Sequence, residues 1–238
     1  MNRDNQYQGK TAIVTGGTSG IGAACVKYFA ECGAVVHSWG LDADQCEYRH
    51  ENVHVKQLDV TDEDALASAI DAIDTIDIVI PAAGISVADR EHEMNVFDKV
   101  ISINLSAVMR TCSLAKAKMP MGGSMVLIAS MYSTFGAGGR PAYAASKGGI
   151  VQLVKSLAQS YAPDGIRVNA VAPGWIDTPL LAPLKADKDI SGAILGRTPL
   201  ARFGDPEEIA KVASFLCSDH ASFVTGATLP VDGGYLTV

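Results

Sequence analysis

The stretch KTAIVTGGTSGIGAAC, residues 10–25, constrains the fold more than any other part of the chain. A short apolar run, residues 11–14, stops at a cluster of glycines, and an alanine-rich stretch beginning at Ile21 follows at once. An unbroken apolar run suits a strand buried on both faces, as in a parallel sheet. Gly16, Gly17, Gly20 and Gly22, set between a strand and a helix, let the backbone turn tightly and approach a ligand. The helix N-terminus then aims free N–H groups at that place, where a pyrophosphate is stabilised. The spacing Gly16-x3-Gly20-x-Gly22 differs from G-x-G-x-x-G, but its position after a buried strand is the required context. An ordinary strand-to-helix turn could carry the same glycines, so further residues must decide.

The same alternation recurs along all 238 residues. Short apolar runs predict strands at 11–15, 34–38, 53–58, 76–80, 124–129, 166–171 and 227–231. Helices are expected over 20–32, 62–73, 92–118, 142–161 and 206–217. The last has a clear start: Asp205 as cap, Pro206 in the first helical position and Glu208 closing a capping box. Alternating strands and helices imply an α/β fold of Rossmann type, a doubly wound parallel sheet of about seven strands flanked by helices. The length fits one domain, 1–238. Residues 179–204 break the rhythm. They are rich in Pro and Gly with mixed charge, and read as a substrate-binding loop or lid within that domain.

Composition narrows the class of partner. The net charge is −7 with scattered Lys and Arg, which argues against nucleic acid and anionic membrane surfaces. The five cysteines show no CxxC or His-rich pairing, so they read as reduced thiols of a cytoplasmic protein, with no metal site. The first ten residues are polar and lack a signal-peptide core, and no apolar run reaches the length of a membrane span.

Chemistry enters with RPAYAASK, residues 140–147. Tyr143 and Lys147 lie four apart and share a helix face. A neighbouring ammonium favours phenolate, so Tyr143 is expected to ionise more readily than a free tyrosine and to serve as a general acid or base. Ser130 ends the run SMVLIAS at the carboxyl end of a predicted strand, where open α/β sheets bind ligands.

Together these segments resemble the short-chain dehydrogenase/reductase family, single-domain type, from Thr11 to Tyr235. TGGTSGIG (15–22) is similar to the family's cofactor turn, LDV (58–60) to its adenine-binding segment, and NLSA (104–107) to the helix bearing an asparagine. Ser130, Tyr143 and Lys147 keep the Ser-x12-Tyr-x3-Lys spacing. RVNAVAPGWIDTP (167–179) matches the nicotinamide segment, and DGGY (232–235) the C-terminal signature.

The resemblance implies a catalytic tetrad of Asn104, Ser130, Tyr143 and Lys147. Tyr143 would exchange the proton and Ser130 would orient the carbonyl. Lys147 would hold the nicotinamide ribose and lower the Tyr143 pKa, and Asn104 would bind a water in a proton path. It also implies cofactor contacts from Gly16, Thr18, Ser19, Gly20, Ile21, Gly22, Asp59, Val60, Ala83, Gly84, Tyr143, Lys147, Pro173, Gly174, Ile176 and Thr178. A homotetramer or homodimer is expected.

Two departures stand out. PAAG (81–84) replaces the family's Asn-Asn-Ala-Gly, so Pro81 removes a ladder donor. The acid that ends the second strand in NAD-preferring members falls here at Gly40. Asp42 lies near enough to substitute, or else is an exposed loop residue. No Lys or Arg occurs between Lys27 and Arg49, which favours NAD over NADP, because a 2′-phosphate needs cationic partners.

Met131, Tyr132, Phe135, Trp175, Leu180, Leu181, Leu184, Ile194 and Leu195 could build an apolar pocket. The expected reaction is hydride transfer between a nicotinamide cofactor and a medium-sized secondary alcohol or ketone. The rivals are an NADPH-dependent 3-oxoacyl-thioester reductase and a non-catalytic nucleotide-sensing protein.

Overall fold

A computed structural model describes residues 5–46 and 48–238. Seven strands form one parallel sheet: β1 Thr11–Thr15, β2 Val35–Gly40, β3 Val53–Gln57, β4 Ile78–Pro81, β5 Ser124–Ile128, β6 Arg167–Pro173 and β7 Thr228–Val231. Their spatial order is β3-β2-β1-β4-β5-β6-β7. The order reverses between β1 and β4, and the carboxyl ends of strands at such a switch point form a ligand crevice.

Helices cover both faces: α1 Gly20–Glu31, α2 Glu63–Asp71, α3 Met94–Ile101, α4 Ala107–Lys116, α5 Pro141–Tyr161, α6 Ala182–Ala186, α7 Lys188–Arg197 and α8 Pro206–Cys217. Side chains alternate across β1 with the period of two that a strand imposes. Ile13 joins a core with Leu66 of α2, Val108 of α4 and Ile150 of α5. Ala12 and Val14 face the opposite core, with Phe29 of α1 and Ile209 of α8. Truncating a fully buried Leu66 or Ile150 to Ala would cost about 2–5 kcal/mol.

The expected strands and the capping box of α8 are present. Asp205 accepts from the Glu207 N–H at 2.7 Å, and Glu208 accepts from the Asp205 N–H at 2.8 Å. Three details correct or sharpen the sequence reading. The helix expected over 92–118 is interrupted: α3 and α4 are joined by a π-turn, Ser102–Ser106. The stretch 179–204 is largely helical rather than loop, because Asp187 caps α7 by accepting from the N–H groups of Asp189 and Ile190. Pairing of β4 with β5 ends at Val79 opposite Met125, where Pro81 has no N–H for the next rung.

Candidate active site

Helix α5 starts with Pro141, which presets its first turn. The N–H of Tyr143 in that turn has no partner inside the helix. Glu91 supplies one: its Oε2 accepts from the Tyr143 N–H at 2.7 Å. Glu91 is fully buried. Its Oε1 accepts from the Val87 N–H at 2.9 Å and from the Ser86 hydroxyl at 3.0 Å. One acid therefore ties the segment after β4 to the start of α5. The sequence reading missed it, and no local signal distinguishes Glu91 from its exposed neighbours.

Lys147 lies one helical turn beyond Tyr143. Its Nζ sits 5.6 Å from the Tyr143 ring centre and donates to the Ile128 carbonyl at 2.7 Å, at the end of β5. Burial brings the ammonium down to about 8. The Tyr143 phenol moves upward from its ordinary value because burial disfavours phenolate; a hydrogen bond with Ser130 and the Arg140 charge oppose that rise. This corrects the expectation that Lys147 makes Tyr143 more acidic. In the free protein desolvation is the largest influence and outweighs the Ser130 bond and the Arg140 charge.

Ser130 is locked where β5 gives way to a short 3₁₀ turn, Met131–Ser133. Its Oγ accepts from the Tyr132 N–H at 3.2 Å, and its own N–H donates to the Ser133 hydroxyl. Ser133 in turn donates to the Lys147 carbonyl at 2.7 Å. The Ser130, Tyr143 and Lys147 backbones are thus braced against one another.

Asn104 occupies the π-turn, and such turns are common at functional sites. Its side chain is buried and spent on the segment after β4. Nδ2 donates to the Ile85 carbonyl (2.8 Å) and to the Ser146 hydroxyl (3.2 Å), and Oδ1 accepts from the Ile85 N–H (2.9 Å). The carboxamide fixes that segment, and it does not line the cavities described next.

Two cavities meet at Tyr143. The first is lined by Gly16, Ser19, Gly20, Ile21, Gly22, Ala83, Gly84, Lys147 and Thr178. The second contains Ser130, Met131, Tyr132, Arg140, Pro173, Gly174, Trp175, Ile176, Leu180, Leu181 and Leu184. Tyr143, Ile21, Ile128, Thr178 and Leu180 line both. Phe135 stands apart from this wall, against Tyr132 and Tyr235. Ile194 is buried, and neither it nor Leu195 lines the second cavity.

The first cavity fits a dinucleotide. Gly16 has φ +66°, and a Cβ there would lie 2.6 Å from the Ala83 nitrogen, so only glycine permits this close turn. Ser19 caps α1 with no side-chain bond of its own, leaving the first-turn N–H groups open to a phosphate.

Four expected cofactor residues lie outside the linings of both cavities. Thr18 packs against Gly40, where any side chain would meet its hydroxyl; this is why an acid cannot sit at Gly40 unless Thr18 moves. Asp59 is exposed and caps its own turn, accepting from the Thr61 N–H and hydroxyl, bonds that hold its carboxyl below the usual range. The Val60 side chain belongs to the core, so only its backbone is open to a ligand. Asp42 is exposed after β2 and makes no side-chain cap.

A switch-point crevice, a glycine-lined dinucleotide cradle and a Ser-Tyr-Lys cluster define a nicotinamide-dependent oxidoreductase. A family model described as enoyl-(acyl carrier protein) reductase matches residues 16–236. The chain is 40% identical to cis-4-hydroxycyclohexanecarboxylate dehydrogenase of Sinomonas cyclohexanicum, over 96% of this chain and 97% of that one. It is 38% identical to 3-oxoacyl-[acyl-carrier-protein] reductase FabG of Chlamydia pneumoniae, over 95% and 96%. A solved structure from Beutenbergia cavernae, provisionally named an NAD(P)-dependent gluconate 5-dehydrogenase and carrying NADP, superposes with a TM-score of 0.89. It is 34% identical and covers 97% of this chain and 98% of its own. The chain belongs to the short-chain dehydrogenase/reductase family. It transfers hydride between a nicotinamide cofactor and an alcohol–carbonyl pair.

Proposed function

We propose that Tyr143 is the proton-exchanging group in the interconversion of a small secondary alcohol and a ketone. The observation that carries this reading is the position of its phenol at the junction of the two cavities, beside Ser130. A nicotinamide held in the glycine-lined cavity would accept or supply the hydride. The residues of the chain do the rest. Ser130 holds the substrate oxygen next to the phenol. Tyr143 donates its proton to that oxygen on reduction and removes it on oxidation. A phenol is protonated at neutral pH and can act as the acid, and burial favours that form further. Lys147, in the wall of the glycine cavity, holds the cofactor ribose and is positioned to replenish the proton. Asn104 acts as a positioning residue through Ile85. Residues 179–204 close over the substrate, with Leu180, Leu181 and Leu184 forming part of its apolar wall.

Tyr143→Phe tests the assignment. Turnover should fall by about 10²–10⁴-fold, while the nucleotide still raises the melting temperature. A variant retaining more than about a tenth of wild-type kcat would remove Tyr143 as the acid. Nucleotide binding without turnover by the wild type across a broad carbonyl and alcohol panel would instead favour a sensing protein.

NAD is the proposed preference. Its support is the lack of any Lys or Arg between Lys27 and Arg49, with Gly40 and Ser19 at the approach to the ribose. The Beutenbergia cavernae protein carries NADP, so the two cofactors need direct comparison. A kcat/KM for NADPH equal to or above that for NADH would overturn the preference. A cytoplasmic location is supported by five cysteines that are all buried as thiols. A homotetramer is supported by family membership and by large exposed apolar side chains near the C-terminus, Phe215, Phe223 and Leu229.

A further inference from the structure

We infer that the substrate carries a carboxylate and that Arg140 receives it. This deepens the hydride-transfer reading and rests on it. Arg140 is the one charged side chain lining the substrate cavity; aromatic rings, aliphatic side chains and backbone make up most of the remaining wall. A guanidinium facing such a wall finds few polar partners in it, and an anionic ligand supplies one.

Among the described residues no carboxylate of the protein pairs with it. Among the described residues its guanidinium makes one hydrogen bond, from Nη1 to the Ser86 hydroxyl, at 2.9 Å. That hydroxyl passes its own proton to Glu91, which makes Glu91 the natural candidate for a counter-ion. Glu91 is engaged elsewhere. Its oxygens take the N–H groups of Val87 and Tyr143, and it lies at the N-terminus of the 21-residue helix α5, where the dipole stabilises negative charge. Of the other two acids of this segment, Asp89 packs beside Gly139 and is joined to it through the backbone, and Glu93 pairs with Arg90. Arg140 is therefore held in place by one side of its fork and presents most of its five N–H donors to a ligand.

The rest of the geometry limits what that ligand can be. Arg140 is the N-cap of α5 and Tyr143 is three residues on, about 4.5 Å along the helix axis. The charged group and the reacting carbon thus belong to one compact molecule. A planar guanidinium matches a carboxylate through two parallel hydrogen bonds. A phosphate dianion would call for a second cation, and the cavity wall has none. Arg140 lines the same cavity as the phenols of Tyr132 and Tyr143, so its charge and the reacting oxygen face one ligand. The substrate class is accordingly a small hydroxy acid and its oxo acid, with an apolar body between the two polar ends.

The test uses the nicotinamide-loaded protein with short-chain and cyclic oxo acids, each paired with its methyl ester. Wild type should favour the acid by about 10- to 100-fold in kcat/KM. Arg140→Gln should collapse that ratio toward one, chiefly by raising KM for the acid, and Arg140→Lys should restore part of it. An equal fall for acid and ester in Arg140→Gln would show that the residue acts on Tyr143 rather than on the substrate, and would overturn the proposal. So would reduction of the esters without any preference for the acids, an outcome that leaves hydride transfer intact. Failure to turn over any oxo acid would also overturn the carboxylate proposal, while the broad carbonyl and alcohol panel decides the hydride-transfer reading separately.

Discussion

Replacing Lys147 by Met should make the protein more stable at neutral pH and inactive. Lys147 is buried, and burial lowers its pKa from 10.5 to about 8. Below about pH 8 both folded and unfolded chains hold the proton, and the full cost of burying the ammonium is present. Between about 8 and 10.5 the folded chain releases the proton while the unfolded chain keeps it, so stability rises with pH. At about 1.4 kcal/mol per pH unit, the cost at pH 7 is about 3 kcal/mol. Methionine fills similar volume without the charge but leaves the Ile128 carbonyl without its donor, a loss of about 1 kcal/mol. The variant should therefore be about 2 kcal/mol more stable at pH 7, and about 1 kcal/mol less stable above pH 10.5. For a chain of this length about 2–4 °C accompanies each kcal/mol. Thermal unfolding of both proteins without nucleotide, from pH 7 to pH 11, reads the difference directly, because other titrating groups cancel between them. The Tm gap should swing by about 6–12 °C and change sign. A gap that stays constant within about 1 °C, or a variant less stable already at pH 7, would refute a desolvated ammonium as the source.

Glu91→Gln turns one acceptor oxygen into a donor opposite groups that already donate. It should cost about 1–3 kcal/mol, lower Tm by several degrees and reduce kcat through the displaced Tyr143; a melting curve that overlays the wild type would deny it that role. Asp205→Ala removes the cap of α8 and should cost about 1 kcal/mol, measured by urea unfolding, with kcat unaltered. Asp42→Ala should raise KM for NADH several-fold if this exposed carboxylate grips the ribose, and an unchanged KM would leave any NAD preference to other residues. Light scattering at micromolar concentration should give a dimeric or tetrameric mass, and a monomer would refute the proposed assembly.

The parts of the fold that were legible share a cause. Strand β1 was read at its observed limits because a buried parallel strand is a continuous apolar run with a glycine stop. Helix α8 was read to the residue because Asp205, Pro206 and Glu208 carry their start signal in the side chains themselves. Helix α7 was not, although Asp187 caps it in the same manner. Its glycines, Gly192 and Gly196, and the prolines on either side of residues 188–197 gave the segment the composition of a loop, and only one of its residues, Ile194, is buried enough to contribute an apolar stripe. The π-turn between α3 and α4 was invisible for a different reason. It adds a backbone irregularity without breaking the apolar pattern on either side, and its purpose, holding Asn104 against Ile85, depends on a contact 19 residues away in sequence.

The same distinction separates the proposed catalytic groups from those that hold them. Tyr143 and Lys147 are proposed to act on one small volume, and the simplest way to fix two side chains together is to set them one turn apart on a single helix. That requirement is written as a spacing, and a spacing can be read. Glu91 is 52 residues from the N–H it receives, and Ser133 is 14 residues from the carbonyl to which it donates. Glu91 and Glu93 lie two residues apart in the same polar segment; one is fully buried at the head of α5, the other exposed in a pair with Arg90. Nothing in the residue types separates them, because burial is decided by how the segment after β4 meets the catalytic helix. Arg140 follows the same rule. In sequence it is a basic residue before a proline, and it becomes a candidate specificity residue only when the fold closes an apolar cavity around it and engages the nearest acid elsewhere.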